Sequence, residues 1–378
     1  MEAEVPKLGS SLLVPSVKEL IKQPITKVPT QYIHPNQDPV VVSCTTSLSE
    51  IPVIDLSKLL SEDESELEKL HHACKEWGFF QVINHGVNPS LVENVKIGVK
   101  EFFNLPMKEK KKLWQKPGDL EGFGQLFVVS EEQKLEWADM FSMNTHPLYT
   151  RNPHLFPSIP QPFIALCWSC FTICGGNTCT DNLETYSLEL KNMYLIIIGF
   201  MNKALKIEHN ELQDLFQDIG QVMRMNYYPP CPQPELVVGL VPHSDAGPLS
   251  IVLQANEIDG LQIRKDGMWV PIRPISNAFV INIGDILEIL TNGIYQSIEH
   301  RATVNSEKER ISLANFHRPG LNRVIGPVPS LVTPERPALF KNIGVTDYYK
   351  GYFSRKLEGK SYIDVIRIQN EVGSNKSA

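Results

Sequence analysis

The chain has 378 residues, enough for one large domain or two modest ones with a substantial buried core. Hydrophobic residues make up 42% of the sequence and charged residues 21%, a balance typical of a globular protein that argues against general disorder. The net charge of −7 argues against a surface that binds nucleic acid by neutralising its phosphates.

The first residues lack the pattern of an export signal. Met1-Glu2-Ala3-Glu4 is acidic, whereas a signal peptide begins basic and then becomes apolar. The longest apolar runs, residues 163–174 and 193–201, are too short to cross a bilayer. We therefore expect a cytoplasmic monomer with no membrane or nucleic-acid partner, whose seven cysteines are reduced thiols.

The N-terminal third predicts a leader followed by an α/β extension. Residues 1–50 contain several prolines and one helix candidate, residues 14–21, and we expect them to lie over the folded domain. The pattern then predicts a strand over 51–56, a helix over 64–77 that ends at Gly78, a strand over 79–84 and a helix over 91–103. Aromatic residues between Phe123 and Phe141 are candidates for a substrate mouth, with ordinary core packing as the alternative.

Residues 164–180 do not match the sequence around them. Four of the seven cysteines lie in this stretch, at Cys167, Cys170, Cys174 and Cys179. Four thiolates are enough to bind zinc or an iron–sulfur cluster, but the spacing matches no paired Cys-x-x-Cys zinc pattern, because no second such motif follows Cys167 and Cys170. We interpret the stretch as an added surface loop without chemistry.

The remainder predicts a long helix followed by many short strands. Residues 183–205 have a wide apolar face at helical spacing. Strand-like segments separated by Gly, Pro and Asn turns then cover residues 239–241, 249–254, 261–264, 269–271, 279–283 and 311–316. Such a series favours a two-sheet jelly roll, with a hairpin at Asp266-Gly267. Helix candidates over 348–368 are expected to lie outside the barrel or to cap its opening.

Two histidines and one aspartate form a possible metal site. His243 and Asp245 are two residues apart, so on one strand both side chains would face the same side. The third ligand has to come from a distant strand, and His300 follows a further strand-like segment. Two imidazoles and one carboxylate are the facial triad that binds iron(II) and leaves three coordination positions open. A lone His-x-Asp is common, so the prediction depends on the residues that follow.

Arg310 and Ser312 follow His300 and are two residues apart on a predicted strand, so both side chains would face the same side. A guanidinium offers two parallel charge-assisted hydrogen bonds to a carboxylate, which lysine cannot do. An arginine beside a hydroxyl is therefore a candidate receptor for a carboxylate near the metal. His-x-Asp, a later His and Arg-x-Ser in this order are far more specific than any one of them.

Together these motifs resemble the plant 2-oxoglutarate- and iron(II)-dependent dioxygenases, in particular the senescence-related dioxygenases and the alkaloid O-demethylase and norcoclaurine-synthase-like branch. The resemblance covers nearly the whole chain. It rests on Ile51-Pro52-Val53-Ile54-Asp55-Leu56, Trp77-Gly78-Phe79-Phe80-Gln81-Val82-Ile83-Asn84-His85-Gly86, Phe102-Phe103-Asn104-Leu105-Pro106, Asn226-Tyr227-Tyr228-Pro229-Pro230-Cys231-Pro232, His243-Ser244-Asp245, Asn282-Ile283-Gly284-Asp285, His300-Arg301 and Arg310-Ile311-Ser312.

This resemblance implies an α+β fold: a double-stranded β-helix (jelly roll) core with flanking helices and an N-terminal α/β extension. It implies a leader at 1–50, an N-terminal dioxygenase domain at 51–160, the insertion at 164–180, the jelly-roll domain at 219–319 and a C-terminal helical segment at 320–378. Fe(2+) would be bound by the catalytic triad, 2-oxoglutarate would be held by further polar residues, and ascorbate would keep the iron reduced. The implied ligands are His243, Asp245 and His300 for iron and Arg310, Ser312, Tyr228 and Asn226 for 2-oxoglutarate.

The implied reaction is hydroxylation or O-demethylation of a plant specialised metabolite, with O2 consumed and succinate and CO2 released. A phenolic, flavonoid or alkaloid-like substrate fits this family. Two alternatives stay open: an ascorbate-using oxidase of the same fold, and an inactive jelly-roll binding protein disabled by the 164–180 insertion. Ala246 and Pro248 depart from the family pattern beside the metal ligands, and we expect them to alter the pocket and the adjoining strand.

Overall fold

The computed structural model describes residues 8–9, 11–35, 50–116, 119–155, 182–207, 211–360 and 362–369. The predicted insertion at 164–180, with its four cysteines, lies outside the described residues. None of the helices in these ranges combines the length and the apolar character needed to span a bilayer.

Ten α-helices occur within the described ranges, together with short 3-10 helices and a π-helical turn. The α-helices are α1 Val17–Leu20, α2 Leu56–Leu60, α3 Glu64–His72, α4 Pro89–Asn104, α5 Met107–Lys111, α6 Asn182–Ala204, α7 Glu211–Asp214, α8 Asp285–Leu290, α9 Val345–Phe353 and α10 Ile363–Ile366. The 3-10 helices are Thr30–Tyr32, Leu148–Thr150, Pro234–Leu236 and Pro329–Leu331, and the π-helical turn is Ala73–Trp77.

Fourteen strands occur in the same ranges. They are β1 Val53–Asp55, β2 Phe79–Ile83, β3 Gly122–Gly124, β4 Asp139–His146, β5 Gly220–Tyr228, β6 Leu240–His243, β7 Leu249–Gln254, β8 Leu261–Lys265, β9 Met268–Pro271, β10 Phe279–Ile283, β11 His300–Ala302, β12 Arg310–Arg318, β13 Val324–Ile325 and β14 Ile343–Gly344.

Two sheets form the jelly-roll core that the sequence predicts. The major sheet has the order β1-β2-β10-β7-β12-β5-β4-β3, and the minor sheet has the order β6-β11-β8-β9. Only β1 and β2 pair in parallel within these two sheets. Ile263 and Val270 of the minor sheet pack with Phe79 and Val280 of the major sheet, so the two sheets share an apolar interior.

Several local signals in the sequence have clear counterparts in the structure. Asp63 caps α3, because its carboxylate accepts hydrogen bonds from the backbone N–H groups of Ser65 and Glu66. Gly78 ends the following π-helical turn in the left-handed conformation, with φ of 60°. Asp266 and Gly267 both have positive φ and join β8 to β9, as expected for a two-residue hairpin turn.

Other elements differ from the sequence prediction. The helix predicted over 64–77 is α3 followed by the π-helical turn Ala73–Trp77. The i→i+4 hydrogen bonds of the α-helix are replaced by wider i→i+5 bonds before Gly78. The helix candidate at 14–21 is only the four-residue α1. β3, β4 and α8 were not predicted, and β3 and β4 extend the major sheet beyond β5.

The N-terminal segment packs on the outside of the major sheet. Val17, Val28 and Tyr32 are buried and share a cluster with Trp137. The ring centroids of Tyr32 and Trp137 are 5.2 Å apart in an edge-to-face arrangement. The described part of the leader therefore lies over the domain and has no separate core.

Candidate metal centre

The three predicted metal ligands come together at one end of the minor sheet. His243 is the last residue of β6, His300 is the first residue of β11, and the two are direct cross-strand partners. The sequence analysis expected Asp245 on the same strand as His243. The structure instead places Asp245 in the turn that follows this strand. The strand ends at His243 because the chain turns through Ala246-Gly247-Pro248 to reach β7.

The ligand atoms of these residues surround a common point. Nε2 of His243 lies 3.6 Å from Oδ1 of Asp245, and Nε2 of His300 lies 3.7 Å from the same oxygen. All three ligand atoms lie within 4.8 Å of one another, and all three residues are buried. Among the described residues no other group of three His, Cys, Asp or Glu has this property.

Each imidazole is oriented by a hydrogen bond to the backbone two residues earlier. Nδ1 of His243 is 2.8 Å from the carbonyl oxygen of Val241, and Nδ1 of His300 is 3.1 Å from that of Ile298. A carbonyl oxygen only accepts, so Nδ1 carries the proton and Nε2 keeps its lone pair. Nε2 of His243 is buried without a hydrogen-bond partner. The donor set therefore fits a divalent metal ion.

The charge states also suit metal binding. Burial alone would raise the pKa of Asp245, but His300, His243 and the hydroxyl of Ser250 together hold that pKa well below its ordinary value. Burial, followed by the neighbouring His243, lowers the pKa of His300 to about 4. At neutral pH Asp245 is thus ionised and His300 is neutral, which are the forms that bind a metal ion.

Two residues without a predicted role hold Asp245 in place. The hydroxyl of Ser250 donates to Oδ2 of Asp245 at 2.6 Å, and the side-chain amide of Asn282 donates to the same oxygen at 2.7 Å. Ser250 on β7 and Asn282 on β10 are paired in register. Oδ1 is therefore left to face the imidazoles. The available signal was a single amide in the otherwise apolar strand Phe279–Ile283.

The turn that carries Asp245 is fastened to the major sheet. The backbone N–H of Asp285 donates to the carbonyl of Asp245 at 2.8 Å, and that of Gly284 donates to the carbonyl of Pro248 at 3.0 Å. A Cβ at residue 284 would collide with the carbonyl oxygen of Gly247, so this approach requires glycine. Pro248 precedes β7, where its missing N–H removes no ladder hydrogen bond.

A second group of polar residues lies on the facing strands β5 and β12. Arg310 pairs with Tyr228, and Ser312 pairs with Asn226. The amide of Asn226 donates to the hydroxyl of Ser312 at 3.3 Å. All four line one pocket, together with Asp245 and His300. The structure thus brings every predicted co-substrate residue next to the predicted metal ligands.

Arg310 presents an incompletely paired cation in this pocket. Its side chain is 2% exposed, and its Nη2 donates to Oε1 of Gln254 at 3.2 Å. The guanidinium carbon lies 5.1 Å from the centroid of the Tyr228 ring, and Nε has no hydrogen-bond partner. A buried cation with a free donor is suited to an incoming carboxylate.

A larger cavity of about 330 Å³ opens on the other side of the ligands. His243, Asp245 and Ala246 form part of its wall, and the expected effect of Ala246 on the pocket stays a prediction. The rest of its wall combines apolar and polar side chains with five aromatic ones, those of Phe127, Phe316, Tyr349, Tyr352 and Phe353.

The aromatic prediction for residues 123–141 holds for one of the four aromatic residues in that stretch, and Trp137 is buried in the cluster with Tyr32. Phe127 lines the cavity, whereas Phe123 and Phe141 are buried in the main core. Helix α9 forms part of the cavity wall, and Tyr352 donates a hydrogen bond to the carbonyl of Ser244 at 3.0 Å. The C-terminal segment thus contributes to the cavity, and whether it caps the opening or lies against the outside stays a prediction.

Comparison with known proteins gives the family. Residues 51–159 match the model of the non-haem dioxygenase in morphine synthesis N-terminal region, and residues 219–319 match the 2OG-Fe(II) oxygenase superfamily. Oxoglutarate-dependent flavonoid 7-O-demethylase 1 of Ocimum basilicum is 50% identical, over 97% of this chain and 95% of the relative. Codeine O-demethylase of Papaver somniferum is 49% identical, over 96% of this chain and 98% of the relative.

A solved structure points to the same family as the two sequence relatives. The crystal structure of JOX2 in complex with 2OG, Fe and JA has a TM-score of 0.83 and 32% identity, and the match covers 94% of this chain and 98% of JOX2. The jelly-roll fold and the resemblance to the plant dioxygenases are thereby confirmed. The chain belongs to the 2OG-Fe(II) oxygenase superfamily and is an oxidoreductase that uses iron(II), 2-oxoglutarate and O2 to hydroxylate or O-demethylate a small molecule.

Proposed function

We propose that His243, Asp245 and His300 bind the iron(II) of this oxygenase. The observation that carries the assignment is the convergence of their ligand atoms within 4.8 Å, with the other nitrogen of each imidazole engaged by a backbone carbonyl. Ser250 and Asn282 hold the second oxygen of Asp245, so the carboxylate presents Oδ1 alone. This arrangement keeps the three donors in place before the metal arrives.

In the same proposal Arg310, Ser312, Tyr228 and Asn226 hold 2-oxoglutarate. Arg310 and Ser312 bind the carboxylate far from the metal, and the pocket leads from them to Asp245 and His300. Tyr228 and Asn226 pair directly with these two residues across the ladder and support their side chains. When bound, the iron and 2-oxoglutarate supply O2 activation coupled to decarboxylation, which yields succinate, CO2 and an oxygenated product.

The organic substrate is proposed to occupy the cavity of about 330 Å³. The five aromatic rings in its wall suit a flat phenolic, flavonoid or alkaloid-like scaffold, and flavonoid and codeine O-demethylases are relatives of the chain. Phe127 and Phe353 stack with centroids 5.5 Å apart and narrow the opening. These rings orient the reacting C–H bond and exclude water from the metal side.

Replacing one ligand tests the metal assignment. His243→Ala should lose stoichiometric iron and coupled succinate formation, while retaining the circular dichroism spectrum of the wild type. The measurements are metal analysis and succinate release with a panel of phenylpropanoid, flavonoid and benzylisoquinoline compounds. His72→Ala, which changes an exposed histidine away from the cavity, is the matched control. Retained iron and turnover in His243→Ala would refute the assignment.

The ascorbate-using oxidase is separated by product analysis. An Arg-x-Ser pair is expected in that class as well, so Arg310 and Ser312 do not decide between them. One succinate formed per oxygenated product supports the 2-oxoglutarate reaction, whereas product without succinate supports the oxidase. Anaerobic Fe(II) and 2-oxoglutarate should also give a weak visible charge-transfer band, and a folded protein without this band would support an inactive binding protein.

We further propose ascorbate as the reductant that restores iron(II), and a monomeric enzyme in a reducing compartment such as the cytoplasm. The thiols of Cys74 and Cys231 are free and buried, which fits a reducing environment. The net charge of −7 supports a protein without a nucleic-acid partner. Multi-turnover assays with and without ascorbate, and light scattering of the purified protein, test the first two points.

A further inference from the structure

The inner face of the β5–β12 ladder carries three arginines at regular intervals. Arg310 and Arg318 are eight residues apart on β12, and Arg224 on β5 pairs with Ala314, midway between them. At roughly 3.4 Å per residue, neighbouring arginine positions are separated by roughly 14 Å along the strand. Arg310 lines the co-substrate pocket, Arg318 lines the larger cavity, and Arg224 lines both.

Arg224 is buried without a full set of partners. Its side chain is 7% exposed, and its Nε has no hydrogen-bond partner. The guanidinium carbon lies 4.9 Å from the centroid of the Phe316 ring, which also lines the cavity. Arg224 contributes to both pockets and is therefore the arginine next to the reacting end of the substrate.

Arg318 lies at the other end of the cavity and is partly buried. It packs against Gly220, where a Cβ would lie 2.7 Å from the guanidinium carbon. Burial lowers the pKa of Arg318, opposed by the nearby Tyr349 and Tyr149. Within the described residues no carboxylate lies at ion-pair distance from Arg318 or from Arg224.

Apart from the proposed metal ligand Asp245, the cavity wall has two carboxylates, Glu121 and Asp119, and neither pairs with these cations. Glu121 accepts a hydrogen bond from the backbone N–H of Asn144 at 2.6 Å, and burial raises its pKa. Asp119 accepts from the backbone N–H of Glu121 at 3.1 Å. A desolvated guanidinium without an anionic partner is costly, and the cost is recovered when an anion binds.

We propose that Arg318, supported by Arg224, binds an anionic oxygen of the substrate, a carboxylate or a phenolate, and so selects acidic aromatic substrates over basic ones. The inference rests on the proposed function, because it names the substrate class of the same cavity. An anion at Arg318 leaves the rest of the scaffold in the cavity that Arg318 shares with His243 and Asp245. A protonated amine would face two guanidinium groups, so an alkaloid ammonium is disfavoured.

Three probes of one shape test the charge preference: 4-methoxycinnamate, 4-methoxycinnamamide and 4-methoxycinnamylamine. Each is titrated by calorimetry into the anaerobic protein loaded with Fe(II) and 2-oxoglutarate. We expect the carboxylate to bind at least about tenfold more tightly than the amide, and the amine most weakly, because charge-assisted hydrogen bonds contribute about 1.5–3 kcal/mol. Arg318→Leu should weaken carboxylate binding by about tenfold and leave amide binding within about twofold.

Matched variants keep the result interpretable. Arg318→Gln replaces Arg318→Leu if the leucine variant does not fold, and Arg336→Leu changes an exposed arginine outside the cavity as a control. Equal affinities for the three probes, no carboxylate binding at millimolar concentration, or a carboxylate preference that survives both Arg318 variants would overturn the inference. If the wild type consumes no 2-oxoglutarate with any compound, the proposed function fails instead.

Arg224 has a second candidate partner, the metal-side end of 2-oxoglutarate, and kinetics separate the two. If Arg224 supports substrate binding, Arg224→Gln raises KM for the methoxycinnamate and leaves the KM for 2-oxoglutarate close to that of the wild type. A rise confined to the KM for 2-oxoglutarate would remove Arg224 from the proposal. Arg318→Gln should leave the KM for 2-oxoglutarate unchanged in either case.

Discussion

Arg310 is the residue on which recognition of the co-substrate depends most in the proposed site. A lysine would keep the positive charge but lose the fork that offers two parallel donors to a carboxylate. We therefore expect Arg310→Lys to raise the KM for 2-oxoglutarate by about tenfold or more, with a smaller effect on kcat. Steady-state kinetics at saturating substrate measure both values. Arg323→Lys, on the surface, is the control, and an unchanged KM in Arg310→Lys would contradict the assignment.

His317 makes folding stability depend on pH. It is fully buried, and its Nε2 lies 3.0 Å from Nε2 of Gln221, which donates, so His317 is neutral. Burial, with nearby His146 and Lys191, lowers its pKa from 6.5 to about 3. The unfolded chain therefore binds an additional proton below pH 6.5. The resulting stability is present in full above pH 6.5 and is lost as the pH falls towards 3.

His317→Gln should remove this contribution. Between pH 7.5 and pH 5.5 the free energy of unfolding of the metal-free wild type should fall by about 1 kcal/mol more than that of the variant. Urea titrations at both pH values give the two free energies. His72→Gln, at an exposed position, should behave like the wild type. Equal pH slopes in His317→Gln and the wild type would show that His317 is not buried as a neutral group.

The chemistry and spacing of individual residues explain how much of the site could be predicted from the sequence. His243, Asp245, His300, Arg310 and Ser312 carry unusual chemistry at recognisable spacings, and the sequence predicts them together. Ser250, Asn282, Arg224 and Arg318 are polar residues within strands, and their roles depend on which strands pair and in which register. That information is not local to any segment, so the sequence gives no direct signal for it.

The same distinction holds for helices and strands. α6 Asn182–Ala204 and the predicted strand over 279–283 follow from strong apolar periodicity and end within one residue of the prediction. β4 was not predicted because its residues, Asp139–His146, alternate little, and α8 was not predicted because Gly284-Asp285 has the signature of a turn. α8 does begin at that turn, with six buried residues that only the surrounding core selects as a helix. The division into domains stays a prediction.

Asp139 on β4 anchors the N-terminal segment. Its carboxylate accepts hydrogen bonds from the hydroxyl of Ser16 at 2.6 Å and from the backbone N–H groups of Val17 at 2.7 Å and Lys18 at 3.3 Å. Asp139→Asn replaces one acceptor oxygen by a donor that faces these donors. We expect the anchoring to weaken by about 1–3 kcal/mol and the segment before residue 36 to be cleaved faster in limited proteolysis.

The N-terminal segment also reaches the cavity, because Leu8 and Gly9 contribute to the cavity wall. Asp139→Asn should therefore raise the substrate KM and leave the KM for 2-oxoglutarate unchanged. Asp218→Asn, which alters an exposed carboxylate paired with Arg323, is the matched control and should change neither. If Asp139→Asn is cleaved at the wild-type rate and keeps the wild-type substrate KM, then α1 is held by apolar packing alone.

At the scale of the whole molecule, the site joins the two sheets of the jelly roll. His243 and His300 belong to the minor sheet, whereas Arg310 and Ser312 belong to the major sheet. Asp245 lies in the connection between them, and Asn282 of the major sheet holds its carboxylate. If these residues bind the metal and the dicarboxylate as proposed, the two ligands connect both sheets, and this connection exists in the folded state only. Ligands that bind only the folded state stabilise it by mass action.

Thermal unfolding measures this linkage. At about a hundred times its dissociation constant, each ligand should contribute about 2.7 kcal/mol, so anaerobic Fe(II) with 2-oxoglutarate should raise the Tm by several degrees. In His243→Ala the rise in Tm that depends on Fe(II) should be lost. In Arg310→Leu most of the rise in Tm that depends on 2-oxoglutarate should be lost. Succinate, which lacks the keto group, should stabilise less than 2-oxoglutarate because it cannot chelate the metal. An equal rise of Tm in the wild type and in His243→Ala would place the metal elsewhere in the molecule and remove the physical link between the two sheets.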